Sequence, residues 1–138
     1  MGNTVKTVIA VCGGAASYFF GGWSSLLGIL LVFVVIDYLT GWLSAGINGE
    51  LNSKVGFKGI AKKVSIFVLV GVANLVDISL GNTHLLRDAT IFFYMANELL
   101  SMVENISETG LPLPPGFKKA IAILKNKGDI DIEENPPI

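Results

Sequence analysis

Three carboxylates stand where hydrocarbon is expected. Asp37 closes the apolar run Leu26–Ile36, Asp77 interrupts the segment from Val64 to Leu80, and Glu98 lies inside Leu85–Ile106. An ionisable side chain in a membrane-spanning helix costs roughly 2.5–3.5 kcal/mol on insertion scales, so each marks a functional position. Two carboxylates can share catalytic work as acid and base, and Asp37 with Asp77 is the pair to consider. Depth argues against it. Asp37 lies 14 residues past Trp23, whereas Asp77 lies 14 residues beyond Lys63 on a helix running the other way. The two therefore fall in opposite halves of a bilayer. Glu98, 13 residues into its own segment, matches the depth of Asp37. Asp77 falls near Arg87, and an Asp77–Arg87 ion pair is expected. His84 is the only histidine and Cys12 the only cysteine, so neither a metal cluster nor a nucleophile–histidine arrangement is expected. Cys12 reads as a small apolar filler. The chemistry left to these groups is pairing across helices or contact with water, without an enzyme activity, a metal or a cofactor.

The elements that must carry them are apolar and long. Hydrophobic residues make up 51% of the 138 and charged residues 15%, against about 25% charged in an average soluble chain. With a mean hydropathy of +0.63, the chain reads as an all-α membrane protein. A net charge of −1 excludes a strongly basic nucleic-acid binder. Apolar segments cover 7–22, 23–47, 64–80 and 85–106, giving a bundle of three to four transmembrane helices. The first is read as retained, not as a cleaved signal. Its Gly13, Ser17 and Gly21 follow the small-residue spacing that lets membrane helices approach closely; lying in the interface is the alternative, and would reduce four spans to three. A polar hinge is expected over 48–63. The breaker Gly110–Gly116, with three prolines, stops the fourth helix. A short basic amphipathic helix over 117–127 and a disordered acidic tail over 128–138 complete the single domain. The basic helix is expected to rest on the inner leaflet or to remain a solvated tail.

Lysines orient the bundle, because basic residues concentrate on cytoplasmic loops. Lys54, Lys58, Lys62 and Lys63 fill the hinge, and Lys118, Lys119, Lys125 and Lys127 follow the breaker. Both termini are then cytoplasmic. Trp23 and Trp42, 19 residues apart, span about 28 Å of helix, close to a bilayer core. If they mark the two interfaces, Asp37 lies in the inner third. Along the fourth segment Arg87, Thr90, Tyr94, Asn97, Ser101 and Glu104 recur at helical spacing. Such a stripe faces protein in a buried seam or water in a pore, unless the helix lies on the membrane surface.

Several of these residues fall into a familiar order. Asp37-Tyr38-Leu39-Thr40-Gly41, Ala45, Asn52-Ser53, Gly56 to Lys63, Asn97 to Asn105, Gly110 and Pro112 together resemble a phage-holin family that includes clostridial toxin-release holins. The resemblance runs from about Leu26 to Lys127. It implies a protein that oligomerises in the host cytoplasmic membrane and opens lesions, letting out a cell-wall hydrolase or toxin. A wall hydrolase would be a functional partner without necessary direct contact; the physical partners would be further copies of the chain and the bilayer. The named positions map onto Asp37, Gly41, Lys63, Glu98, Ser101, Glu104 and Asn105. Asp37, Gly41, Glu98, Ser101, Glu104 and Asn105, with Asn74, Asp77, Arg87, Tyr94 and Asn97, form the candidate assembly or pore-lining set; Lys58, Lys62, Lys63, Lys118 and Lys119 form the membrane-proximal basic set. A small ion channel or four-helix transporter using an intramembrane carboxylate is the alternative.

Overall fold

The computed structural model describes residues 2–134, with the side chains of Val55 and of 129–134 left aside. Five helices follow one another: α1 (Gly2–Phe20), α2 (Ser25–Ile47), α3 (Ser53–Ser79), α4 (Leu85–Ser107) and α5 (Gly116–Glu134). There are no strands among the described residues. Two helices, Ser25–Ile47 and Gly56–Ser79, are long and apolar enough to cross a membrane. Only 22% and 28% of their apolar windows are buried within the chain. These helices therefore present most of their hydrocarbon outward, unlike the core helices of a water-soluble protein. By composition α1 and α4 do not join them.

Each helix end has a local cause. The Ser24 hydroxyl accepts from the Leu27 amide and starts α2, which leaves Trp23 in the preceding turn. The Asn52 side chain accepts from the Lys54 amide at 2.9 Å and starts α3, as a short polar residue does at an N-cap. The expected hinge therefore shrinks: Lys54, Lys58, Lys62 and Lys63 all ride on the helix. The Gly110–Pro115 breaker holds, and α4 ends before it. Beyond it α5 continues past Lys127 to Glu134. Residues 128–134, expected in a disordered tail, are helical; 135–138 lie outside the described residues.

α4 is the hub, packed against α2, α3 and α5, which removes a helix lying alone on the membrane surface. α2 and α4 run side by side in the same direction, with Ser44 bonded to Glu108 and Asp37 to Asn105. α3 runs opposite to both. The core joins Leu27, Leu30 and Val34 of α2, Ile66 and Val70 of α3, and Ile91 and Met95 of α4, with Leu124 of α5 packed on it. α1 is different. Every residue from Gly2 to Tyr18 is exposed, including Cys12, which fills no gap within the chain.

α1 is attached through its last turn. Asn74 donates to the Phe19 carbonyl at 2.9 Å and to that of Tyr18 at 3.3 Å, while Arg87 donates to those of Phe20 and Gly21. Two side chains from α3 and α4 thus satisfy carbonyls that a helix C-terminus leaves open. Gly21 is required there: its φ is +72°, and a Cβ would lie 2.3 Å from Asn74 Oδ1.

Candidate functional site

The carboxylates of the apolar segments separate into two polar centres at opposite ends of the bundle. At one end Asp77 is 3% exposed. Its oxygens accept from the backbone amides of Leu86 at 3.0 Å and Arg87 at 2.8 Å. The first amides of α4 lack intrahelical partners and carry the positive end of its dipole, and the local N-cap, His84, supplies no side-chain bond. Asp77 caps α4 from α3. The expected Asp77–Arg87 ion pair does not form. The Arg87 guanidinium turns to Asp88 at 3.0 Å and to the carbonyls ending α1. A carboxylate beside a helix N-terminus is met first by amides, which need no rotamer ordering.

At the other end lies the centre that joins the spans. Lys63 Nζ sits 2.5 Å from Asp37 Oδ2 and 2.8 Å from Glu98 Oε2. One ammonium thus bridges α2, α3 and α4. Asp37 and Glu98, matched by counting along their segments, share this partner, whereas Lys63, read as a membrane-proximal cation, is the bridge itself. Asn105 completes the group: its amide nitrogen donates to Asp37 Oδ1 at 2.9 Å, to the Asp37 carbonyl and to Thr40 Oγ1. Gly41 lies beside it, where a Cβ would meet that nitrogen at 3.6 Å, an ordinary contact. Asp37 and Glu98 are 5% and 6% exposed.

Two hollows meet at this triad. A pocket of about 220 Å³ is walled by Tyr38, Trp42, Glu50 and Asn52, with Trp42 stacked on Gly56. A larger cleft of about 760 Å³ opens between α3 and α4, against Tyr94, Asn97, Glu98 and Glu104. Asp37, Lys63 and Ser101 line both. The stripe on α4 therefore divides. Arg87 belongs to the Asp77 centre, while Tyr94, Asn97, Ser101 and Glu104 face the cleft. Among the basic candidates Lys62 borders the cleft, and Lys58, Lys118 and Lys119 are exposed. No cluster of three or more His, Cys, Asp or Glu able to hold a metal occurs among the described residues.

Sequence reasoning missed Lys63 as a partner because it ends a run of lysines that looked cytoplasmic. Its position was the available signal. Counted from the Asn52 cap it lies 11 residues into α3, about 16 Å of helix, too deep for a loop cation. Ser44, bonded to Glu108, was also missed; nothing in its local sequence distinguishes it.

A model of the bacteriophage holin family matches residues 14–126. An uncharacterised protein of Listeria monocytogenes is 45% identical over 123 residues, covering 89% of this chain and 88% of its own. An uncharacterised 14.9 kDa protein of Clostridium perfringens is 39% identical over 126 residues, covering 91% and 96%. A protein of Bacillus phage phi105 named a probable holin is 32% identical over 121 residues, covering 88% and 89%. No solved structure matches significantly. The matched region takes in the last turns of α1, all of α2, α3 and α4, and the first half of α5, and with them every residue of the triad: the chain belongs to the bacteriophage holin family.

Proposed function

We propose that this chain is a holin proper: it gathers in the cytoplasmic membrane of a bacterial host, oligomerises and opens lesions through which a cell-wall hydrolase leaves. The observation that carries the reading is the triad at the junction of two cavities. A lesion-forming protomer needs a face that is tolerable against protein when closed and against water when open. Asp37, Lys63 and Glu98 neutralise one another inside the bundle, and the cleft beside them is lined by Tyr94, Asn97, Ser101 and Glu104. Polar groups of this kind hydrogen-bond between membrane helices for about 0.6–2 kcal/mol each. Separation of α3 from α4 would expose the same groups to a flooding lumen.

The exposed lysines at the start of α3 and of α5 orient the chain. Lys54, Lys58, Lys118 and Lys119 cluster at one end of the bundle, which becomes the cytoplasmic side; Lys6 at the far end of α1 puts the N-terminus there too. Collapse of the membrane potential is the trigger. Moving one charge through it is worth about 2.3 kcal/mol per 100 mV, comparable to a single interhelical contact.

The test is co-expression with a cytoplasmic wall hydrolase that has no export signal. The culture should clear after a delay only when both are present, and added depolariser should abolish the delay. A culture that stays turbid with both proteins in place contradicts the proposal. An ion channel or transporter would dissipate gradients while keeping the hydrolase inside.

A further inference from the structure

α5 lies along α4. Ile121 is 8% exposed and Leu124 packs on the core. At Gly128 the two backbones touch: a Cβ there would lie 3.3 Å from the Ala89 carbonyl oxygen and from the Phe93 nitrogen. Lys127 sets its ammonium 5.1 Å from the centre of the Phe92 ring, a cation–π distance. Ala89, Phe92 and Phe93 belong to the first turns of α4, at the end of the bundle where Asp77 and Asn74 lie. α5 therefore starts beside the cytoplasmic end and runs back along the spans. From Gly116 to Gly128 it rises about 18 Å, past the midplane of a hydrocarbon core about 30 Å thick.

Away from α4, α5 carries charge beside apolar groups: Lys118, Lys119, Lys125 and Asn126 are exposed, as are Phe117 and Ile123, while Lys127 sits at the edge, over Phe92. Lys118, Ala122 and Lys125 form one helical stripe. Lysines near a helix end can reach the head groups, but Lys125 lies too deep for that. Lipid cannot solvate this face, and lysines of one sign repel across a dry contact with the same face of another copy. Water remains.

We propose that the outer face of α5 lines the water-filled lumen of the assembled lesion, where its lysines form a basic ring. The inference rests on the lesion reading above. α5 is then the element that makes an otherwise apolar bundle wettable on one side, with Gly128 holding it against α4. It also changes the expected topology, since Lys125 and Lys127 no longer count as cytoplasmic and the chain beyond Gly128 points to the outer side. A basic lumen favours anions, as charged rings set the selectivity of pores.

The experiment uses the full-length chain in planar bilayers of neutral lipid. Cysteines are placed at Lys125→Cys and, separately, Ala122→Cys, each with Cys12→Ser. An anionic methanethiosulfonate reagent should react at both positions once the lesion conducts, and shift the chloride-to-potassium permeability ratio toward potassium severalfold. A cationic reagent should restore the Lys125→Cys ratio to that of the unsubstituted chain. Modification that leaves the permeability ratio unchanged overturns the inference by placing α5 in water outside the path. Failure of both cysteines to react overturns it by placing the face against lipid or protein. Absence of any conductance from the unsubstituted chain removes the lesion reading along with it, so the two failures are distinguishable.

Discussion

The Lys63 ammonium lies 2.5 Å from the Asp37 carboxylate, joining the middle of α2 to α3. Glu98, on a third helix, takes the same ammonium at 2.8 Å. Buried ion pairs contribute little net stability against an apolar replacement, but removing one partner leaves a charge without compensation and costs about 3–5 kcal/mol. Lys63→Met should therefore lower the melting temperature of the detergent-solubilised protein sharply. Combining it with Asp37→Asn and Glu98→Gln should recover most of the loss. A triple variant as unstable as Lys63→Met would refute the charge-pairing role.

If the chain acts as the proposed holin, the triad should set the timing of lysis. Asp37→Asn and Glu98→Gln each preserve shape while weakening the bond to Lys63, so the closed bundle loosens. Onset after induction should shift in both variants, and the response to a depolariser should weaken. Normal timing with a normal depolariser response would show that the charges are not the switch.

Asn105 holds Asp37 and Thr40 with one amide nitrogen. Asn105→Leu leaves the Asp37 carboxylate with one donor fewer in a buried site, at a cost of about 1–3 kcal/mol. Thermal melts of the variant should show this loss. Asn105→Asp should be worse, because it adds a third carboxylate to the group.

Asp77 acts on the backbone amides of Leu86 and Arg87, not on the Arg87 guanidinium. Asp77→Ala should cost about 1–2 kcal/mol, the range for a lost helix cap, and Asp77→Asn should keep part of it. The exchange of charges, Asp77→Arg with Arg87→Asp, should be less stable than either single variant. Rescue by the exchange would mean that the side chains pair after all.

α1 touches the rest of the chain only through its last turn. Deleting residues 3–16 should leave the melting of α2 to α5 within about 0.5 kcal/mol of the full chain, the range for changes away from buried features. Lysis should nonetheless weaken, because the deletion removes Gly13 from the Gly13, Ser17 and Gly21 face, which is spaced for contact between membrane helices. A large drop in stability would show that α1 belongs to the core.

Much of this was legible in the residues. α2 stood out by its apolar run Leu26–Ile36, and the structure gives Ser25–Ile47 against an expected 23–47. The common depth of Asp37 and Glu98 followed from counting along helices, which depends only on helical rise. What failed concerned partners and helix ends. Asp77 was matched to the nearest cation by charge, whereas the open amides of α4 lay nearer. Gly128 looked like a stop after Lys127, but it is a contact glycine, and only the packing of α5 on α4 distinguishes the two. The division of the α4 stripe between two polar centres also depends on tertiary packing, which a helical period cannot supply.

The central claim is that this chain opens a hole large enough for protein. Inducible expression in a bacterium carrying cytoplasmic reporters of graded size, from a small dye to a folded enzyme, tests it most directly. The account predicts a silent interval, then release of dye and enzyme together within one abrupt transition. Gradual dye leakage with the enzyme retained to the end would contradict it.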